Sequence, residues 1–119
     1  MTLRALGLLV LGALIVGPTP GQTGGCGNAD QPAPFASSCS EWRAWDCVRA
    51  RTRGELADDD ALQACVDEED QACRDIGDWP LDCQPFPTVR DVNNCIEQLQ
   101  RADMADVPFE EIPECDFCP

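Results

Sequence analysis

The stretch 39-CSEWRAWDCVRARTRGELADDDALQACVDEEDQAC-73 decides how this chain folds. Two cysteine pairs of equal spacing, Cys39/Cys47 and Cys65/Cys73, stand on either side of Gly54 and the run Asp58–Asp60. Positions eight apart on a helix are separated by about 12 Å along the axis, too far to bridge each other. They lie within about 80° of one face, so both can point at a neighbouring helix. An antiparallel pair of helices would then join Cys39 to Cys73 and Cys47 to Cys65. Local signals agree with two helices. Ser38 and Glu41 fit a capping box, which predicts a first helix from Cys39 to about Arg53. Arg49, Arg51 and Arg53 fall in its last turn, where the helix dipole favours cations, and Gly54 suits the left-handed position beyond. Asp58–Asp60 sits at the end of the second helix that favours negative charge. Leu62, Cys65, Val66, Cys73 and Ile76 form its apolar stripe, Asp67, Glu68, Asp70 and Arg74 lie opposite, and Gly77 closes it.

Further along, Thr88-x-x-Asp91 predicts the cap of a third helix whose buried stripe is Val89, Val92, Cys95, Ile96 and Leu99. Pro108 and Pro113 prevent another long helix, so the tail to Cys118 reads as extended or a short turn. No stretch alternates in the manner of a strand. The expected fold is all-α: about three short helices with irregular connectors, stapled by up to four disulfides. Cys83, Cys95, Cys115 and Cys118 remain to tie the third helix and the tail. Eight cysteines permit about a hundred connectivities, so the hairpin pairing stands as one expectation among them. In its geometry, residues 39–73 resemble the helical hairpins built on twin cysteine pairs, with seven intervening residues where those proteins use other spacings. That resemblance implies no activity. The plant eight-cysteine helical scaffold needs an adjacent Cys-Cys and a Cys-x-Cys, and this chain has neither.

Upstream, Met1–Arg4 carries one positive charge and Ala5–Val16 is a twelve-residue apolar run ended by Gly17-Pro18. Twelve helical residues span about 18 Å, well short of the ~30 Å hydrocarbon core, so residues 1–25 read as a signal peptide. Thr23-Gly24-Gly25-Cys26 resembles the lipobox of bacterial lipoproteins, in which the cysteine is acylated and becomes the new N-terminus. Gly25 matches that pattern, while Thr23 stands where the family usually has Leu. The resemblance covers the first 26 residues only and implies lipidation at Cys26; it bears on location and not on activity. The competing expectation is an ordinary signal-peptidase cut after Gly25 and a freely secreted chain. Setting Cys26 aside leaves an even eight cysteines, and residues 26–37 (CGNADQPAPFAS) read as a flexible tether before a domain at 38–119.

Composition limits what such a domain can do. The chain has 8 Arg and no Lys, no His and no Tyr, against 22 acids, for a net charge of −14. The leader contains Arg4 and no acid, so its removal makes the remainder one charge more negative. Nucleic-acid binding needs a basic footprint, and an anionic membrane would repel this surface, leaving a lipid at Cys26 as the expected membrane contact. A protein partner or surface bearing positive charge is allowed. In residues 38–119, Leu, Ile, Val and Phe make up 15 of 82. That share is below the ~20% at which highly charged chains are usually disordered. Disulfides at about 2–4 kcal/mol each would make up the deficit, and reduction is expected to unfold the domain.

Few constellations suggest chemistry. Cys115-Asp-Phe-Cys118 has redox spacing, but the acids at 110, 111, 114 and 116 would raise a thiol pKa, so these read as structural disulfide cysteines. Asp58–Asp60 and Asp67–Asp70 lack the alternation and central glycine of a calcium loop; consecutive acids fan out around a helix, so no metal is expected. Without His, Lys or Tyr, the usual general bases and activated nucleophiles are missing, and neither an enzyme nor a cofactor is expected. Trp42 and Trp45 read as packing for the hairpin core. Gln84-Pro85-Phe86-Pro87-Thr88, anchored by Cys83, is a stiff loop of the kind small protease inhibitors present. The leading expectation is a non-catalytic interaction module of the cell envelope; the alternative is a secreted enzyme inhibitor acting through that loop.

Overall fold

The structure is a computed structural model that describes residues 28–118. The expected signal peptide, the lipobox-like stretch 23–26 and Cys26 lie outside the described residues. Within them the fold is all-α: α1 (Phe35–Thr52), α2 (Asp59–Ile76) and α3 (Val89–Leu99), with 3-10 turns at Asn28–Asp30, Ala102–Met104, Phe109–Glu111 and Pro113–Cys115. A single isolated bridge, Pro32 to Thr88, is the only β pairing among the described residues. Four disulfides join Cys39–Cys73, Cys47–Cys65, Cys83–Cys118 and Cys95–Cys115.

α1 and α2 pack as the expected antiparallel hairpin, with the two bridges eight residues apart on each helix. Between the bridges, Arg43 donates to Glu69 at 2.7 Å and Ser40 donates to Asp70 at 2.6 Å. Gly54 and Gly77 both take positive φ (80° and 84°), where a β-carbon would be strained. Asp58 caps α2 by accepting from the Ala61 amide at 2.8 Å. Thr88 and Asp91 form the expected reciprocal box at the start of α3. Of α2's apolar stripe only Cys73 is fully buried; Leu62, Cys65 and Val66 are half-covered and Ile76 is exposed.

The start of α1 departs from expectation. It begins at Phe35 behind Pro34, with no side-chain cap, and Ser38 is buried inside the helix. The reason is Phe35, which packs edge-on against Trp42 and Trp79 at ring distances of 6.2 and 5.1 Å. Burying a phenylalanine is worth roughly 1.5–3 kcal/mol against about 1 kcal/mol for a cap, so the helix extends to include it. Residues from Asn28 onward are therefore part of the fold and not a tether. Ala33 is buried, its amide donates to the Pro87 carbonyl at 2.8 Å, and the Val89 amide donates to Gln31 at 2.9 Å.

Trp42 also corrects an expectation. Its ring stacks on Trp79 at 5.7 Å and meets Phe117 at 4.9 Å, so besides lining the hairpin it joins α1 to the C-terminal half. Trp45 is half-buried at the edge of the same core. Trp79 satisfies its indole N–H on the Ala33 carbonyl at 2.8 Å. Around this aromatic group lie Val92, Cys95, Ile96, Leu99 and Ile112, the main apolar core.

The arginines of α1 serve loops more than the helix dipole. Arg49 is 3% exposed; it donates to Asp46 at 2.8 Å, to the Met104 carbonyl at 3.0 Å and to the Val107 carbonyl. Arg51 reaches the Leu56 carbonyl, and Arg53 reaches Ala105 while pairing with Glu55. Three cations thus hold the connectors at both sides of α1's C-terminal end.

Candidate interaction groove

The expected interaction loop, Pro85, Phe86 and Pro87, is found between Cys83 and the cap of α3. It is not displayed as a free loop. Only Pro85 is exposed; Phe86 is half-buried against the core, and Pro87 is buried with its carbonyl bound by Ala33. The loop instead forms one wall of a groove of about 380 Å³. Opposite it runs the tail, Pro113, Glu114, Asp116 and Phe117, with Asn94 of α3 and the Cys83–Cys118 bridge completing the lining.

Two covalent ties place the tail there. Cys115 is held to Cys95 in the middle of α3, and Cys118 to Cys83 at the head of the loop. The two cysteines of the Cys115–Cys118 spacing therefore bond to different partners and not to each other. Asp116 and Phe117 are suspended between these fixed points. Phe117 turns into the aromatic core against Trp42 and Trp79, and its carbonyl lies 3.5 Å from the Cys83 sulfur.

The groove's electrostatics are one-sided. Its titratable lining groups are all carboxylates: Asp91, Glu114 and Asp116. Asp91 is occupied in the helix cap, accepting from the Thr88 amide and hydroxyl at 2.8 Å each. Glu114 and Asp116 are exposed and make no side-chain hydrogen bond or ion pair with the described residues. Glu114 acts weakly on Arg101, whose guanidinium is held further in its charged form first by the hydrogen bond to Asp103 and only then by Glu114 and Glu97. Apolar surface comes from the three prolines, Phe86, Phe117 and the disulfide.

A second groove of about 340 Å³ runs along the hairpin beside Arg43, Asp46, Arg53 and Glu69. Its charges are largely neutralised internally, through Arg43–Glu69, Arg49–Asp46 and Arg53–Glu55. Among the described residues no group of three Asp, Glu, Cys or His side chains is placed to hold a metal ion. The acidic runs of α2 point around the helix as solvated groups, bonded to Arg51, Gln63, Ser40 and Arg74.

Sequence reasoning missed the other half of this groove. Glu114, Asp116 and Phe117 carry no periodic signal, and they reach the loop only because two disulfides fold the tail back. The usable clue was the acidic flanking of Cys115 and Cys118. Leu81 was also missed: it stands 91% exposed on a turn closed by the Cys83 amide donating to Pro80 at 2.9 Å. Compared with known proteins, the chain matches no family model, no curated protein and no solved structure. Four disulfides suit an oxidising, extracytoplasmic environment, and among the described residues no helix is long and apolar enough to cross a membrane.

Proposed function

We propose that this chain is a non-catalytic interaction module of the cell envelope, carried by a lipid on Cys26, that engages a partner bearing positive charge. The observation that carries this reading is the groove beside residues 83–88, in which every titratable lining group is a carboxylate. Long-range attraction from a chain of net charge −14 would steer a cationic partner toward it. The inhibitor reading needs Phe86 displayed to an enzyme, and its packing against the core gives that reading less support.

Intact-mass analysis of the native protein tests the anchor: a diacyl or triacyl mass on Cys26 is expected, and an unmodified N-terminus would favour release. Binding to a poly-lysine surface, weakening steeply with added salt, is the expected behaviour of the acidic module. Salt-independent adsorption or none at all would sink it. Turnover in a thiol–disulfide exchange assay would overturn the non-catalytic assignment.

A further inference from the structure

We infer that the groove between the 83–88 loop and the tail receives a single lysine or arginine side chain from the partner. Its alkyl stem would lie along Pro85, Phe86 and Phe117, and its charged head would meet Glu114 and Asp116. This rests on the proposed cationic partner and makes it specific. Three observations converge on it. The lining combines apolar walls with carboxylates and contains no base, which is the chemistry that complements a cation on an aliphatic stem. Its volume of about 380 Å³ falls within the roughly 300–1,000 Å³ of small-ligand sites. Both walls are pinned covalently, by Cys83–Cys118 and Cys95–Cys115, so little ordering cost is left to binding.

A bare divalent ion is a poorer occupant. Asp91 is committed to the helix cap, and the carboxylates do not gather into a metal-holding group among the described residues. The hairpin groove is also a poorer recipient, because it contains Arg43 and Arg53, which repel a cation and already pair with Glu69 and Glu55. Glu114 and Asp116 are left free to accept.

The experiment is a two-dimensional NMR titration of the oxidised protein with Nα-acetyl-arginine methylamide and Nα-acetyl-lysine methylamide. The neutral, isosteric citrulline derivative is the control. Saturable shifts are expected at Thr88, Asn94, Asp116 and Phe117, with dissociation constants in the millimolar range usual for so small a ligand. The citrulline probe should bind up to about fivefold more weakly, the loss expected when an exposed ion pair is replaced by a neutral contact. Glu114→Gln combined with Asp116→Asn should weaken the charged probes by a similar factor without moving Trp79 or Leu99 resonances. Equal binding of citrulline, shifts confined to α2, or calcium displacing the probe at equal concentration would each overturn the inference. Retained poly-lysine binding alongside any of those results would remove the groove but leave the acidic module standing; loss of both removes the two together.

Discussion

The two halves of this molecule carry the same number of disulfides and very different amounts of core. In the α1–α2 hairpin, α2 buries Cys73 fully and leaves Leu62 and Val66 half-covered, so the two bridges stand where an apolar interface would be. Around α3, by contrast, Phe35 and Trp42 from the start of α1 pack with Trp79, Val92, Ile96, Leu99 and Ile112 before any sulfur is considered. Cys47–Cys65 therefore stands in for an apolar interface at the turn end of the hairpin, whereas Cys39–Cys73 is buried in the main core and the tail bridges position a segment on that core. The candidate groove lies on the side with the core, and α2 offers its acids to solvent.

Cys47–Cys65 and Cys95–Cys115 make this contrast measurable, because they close loops of nearly equal separation, 18 and 20 residues. Chain entropy alone gives each about 3 kcal/mol. Replacing either pair by alanine should thus lower global stability by similar amounts, while local opening differs. Without Cys47–Cys65, amides 59–66 should exchange at least about tenfold faster, since opening free energies follow local burial. Without Cys95–Cys115, Val92, Ile96 and Leu99 should stay protected. Equal protection in α2 after loss of its bridge would show that the hairpin has a core of its own.

Ile112 supplies the complementary test. It is 1% exposed between two 3-10 turns, and Ile112→Ala should cost about 2–4 kcal/mol through lost burial and a residual cavity. The damage should appear as faster exchange in α3 and the tail, read with thermal unfolding, while α2 keeps its protection. If α2 opened equally, the two halves would form one cooperative unit.

How much of this was legible beforehand follows the same division. The hairpin could be read because it is local: cysteine spacing, the aspartate cap and two glycines each report a short-range preference, as the threonine cap does for α3. The spacing argument paired Cys39 with Cys73 and Cys47 with Cys65, as the structure does. The start of α1 was misplaced because a local cap at Ser38 was outweighed by Phe35 packing on Trp79, a residue 44 positions away in sequence. The groove was half legible for the same reason. Pro85, Phe86 and Pro87 advertise a stiff loop, but Glu114 and Asp116 reach it through covalent ties that no periodicity encodes.

Arg49 joins the halves and probes the join. Its guanidinium leaves α1 to bind two carbonyls of the 104–107 segment, and its Nε is buried without a partner. Arg49→Met keeps most of the volume and removes the charge. Loss of bonds from a charged donor to these two carbonyls, of which Met104's also accepts from the Val107 amide at 3.1 Å, should cost about 2 kcal/mol. Exchange at residues 104–107 should quicken while the hairpin and α3 are unchanged. A more stable Arg49→Met protein would mean that the desolvated cation is a burden outweighing its bonds.

The smallest expected effects are electrostatic, and each half contains one. Arg53 holds the Glu55 carboxyl below its ordinary value through their hydrogen bond, beside the hairpin turn. Arg101 does the same to Asp103, beside the tail. A carboxylate depressed in the folded state contributes stability that is present above its unfolded pKa and is lost as pH falls through the folded one. Free Glu and Asp titrate near 4.3 and 3.9, so each contribution should begin to fade at about pH 5 and be lost progressively below it. Both groups are fully exposed and screened, so the visible consequence should be in carboxyl NMR titrations and not in unfolding curves. Stability itself should hold level or rise slightly from pH 7 toward 4.5, because protonating some of 22 acids relieves their mutual repulsion. Arg53→Gln should return Glu55 to its ordinary range and leave Asp103 depressed, since the two pairs share no partner. If Asp103 moved with it, the halves would be coupled through charge, and the contrast in packing would no longer describe them as separate.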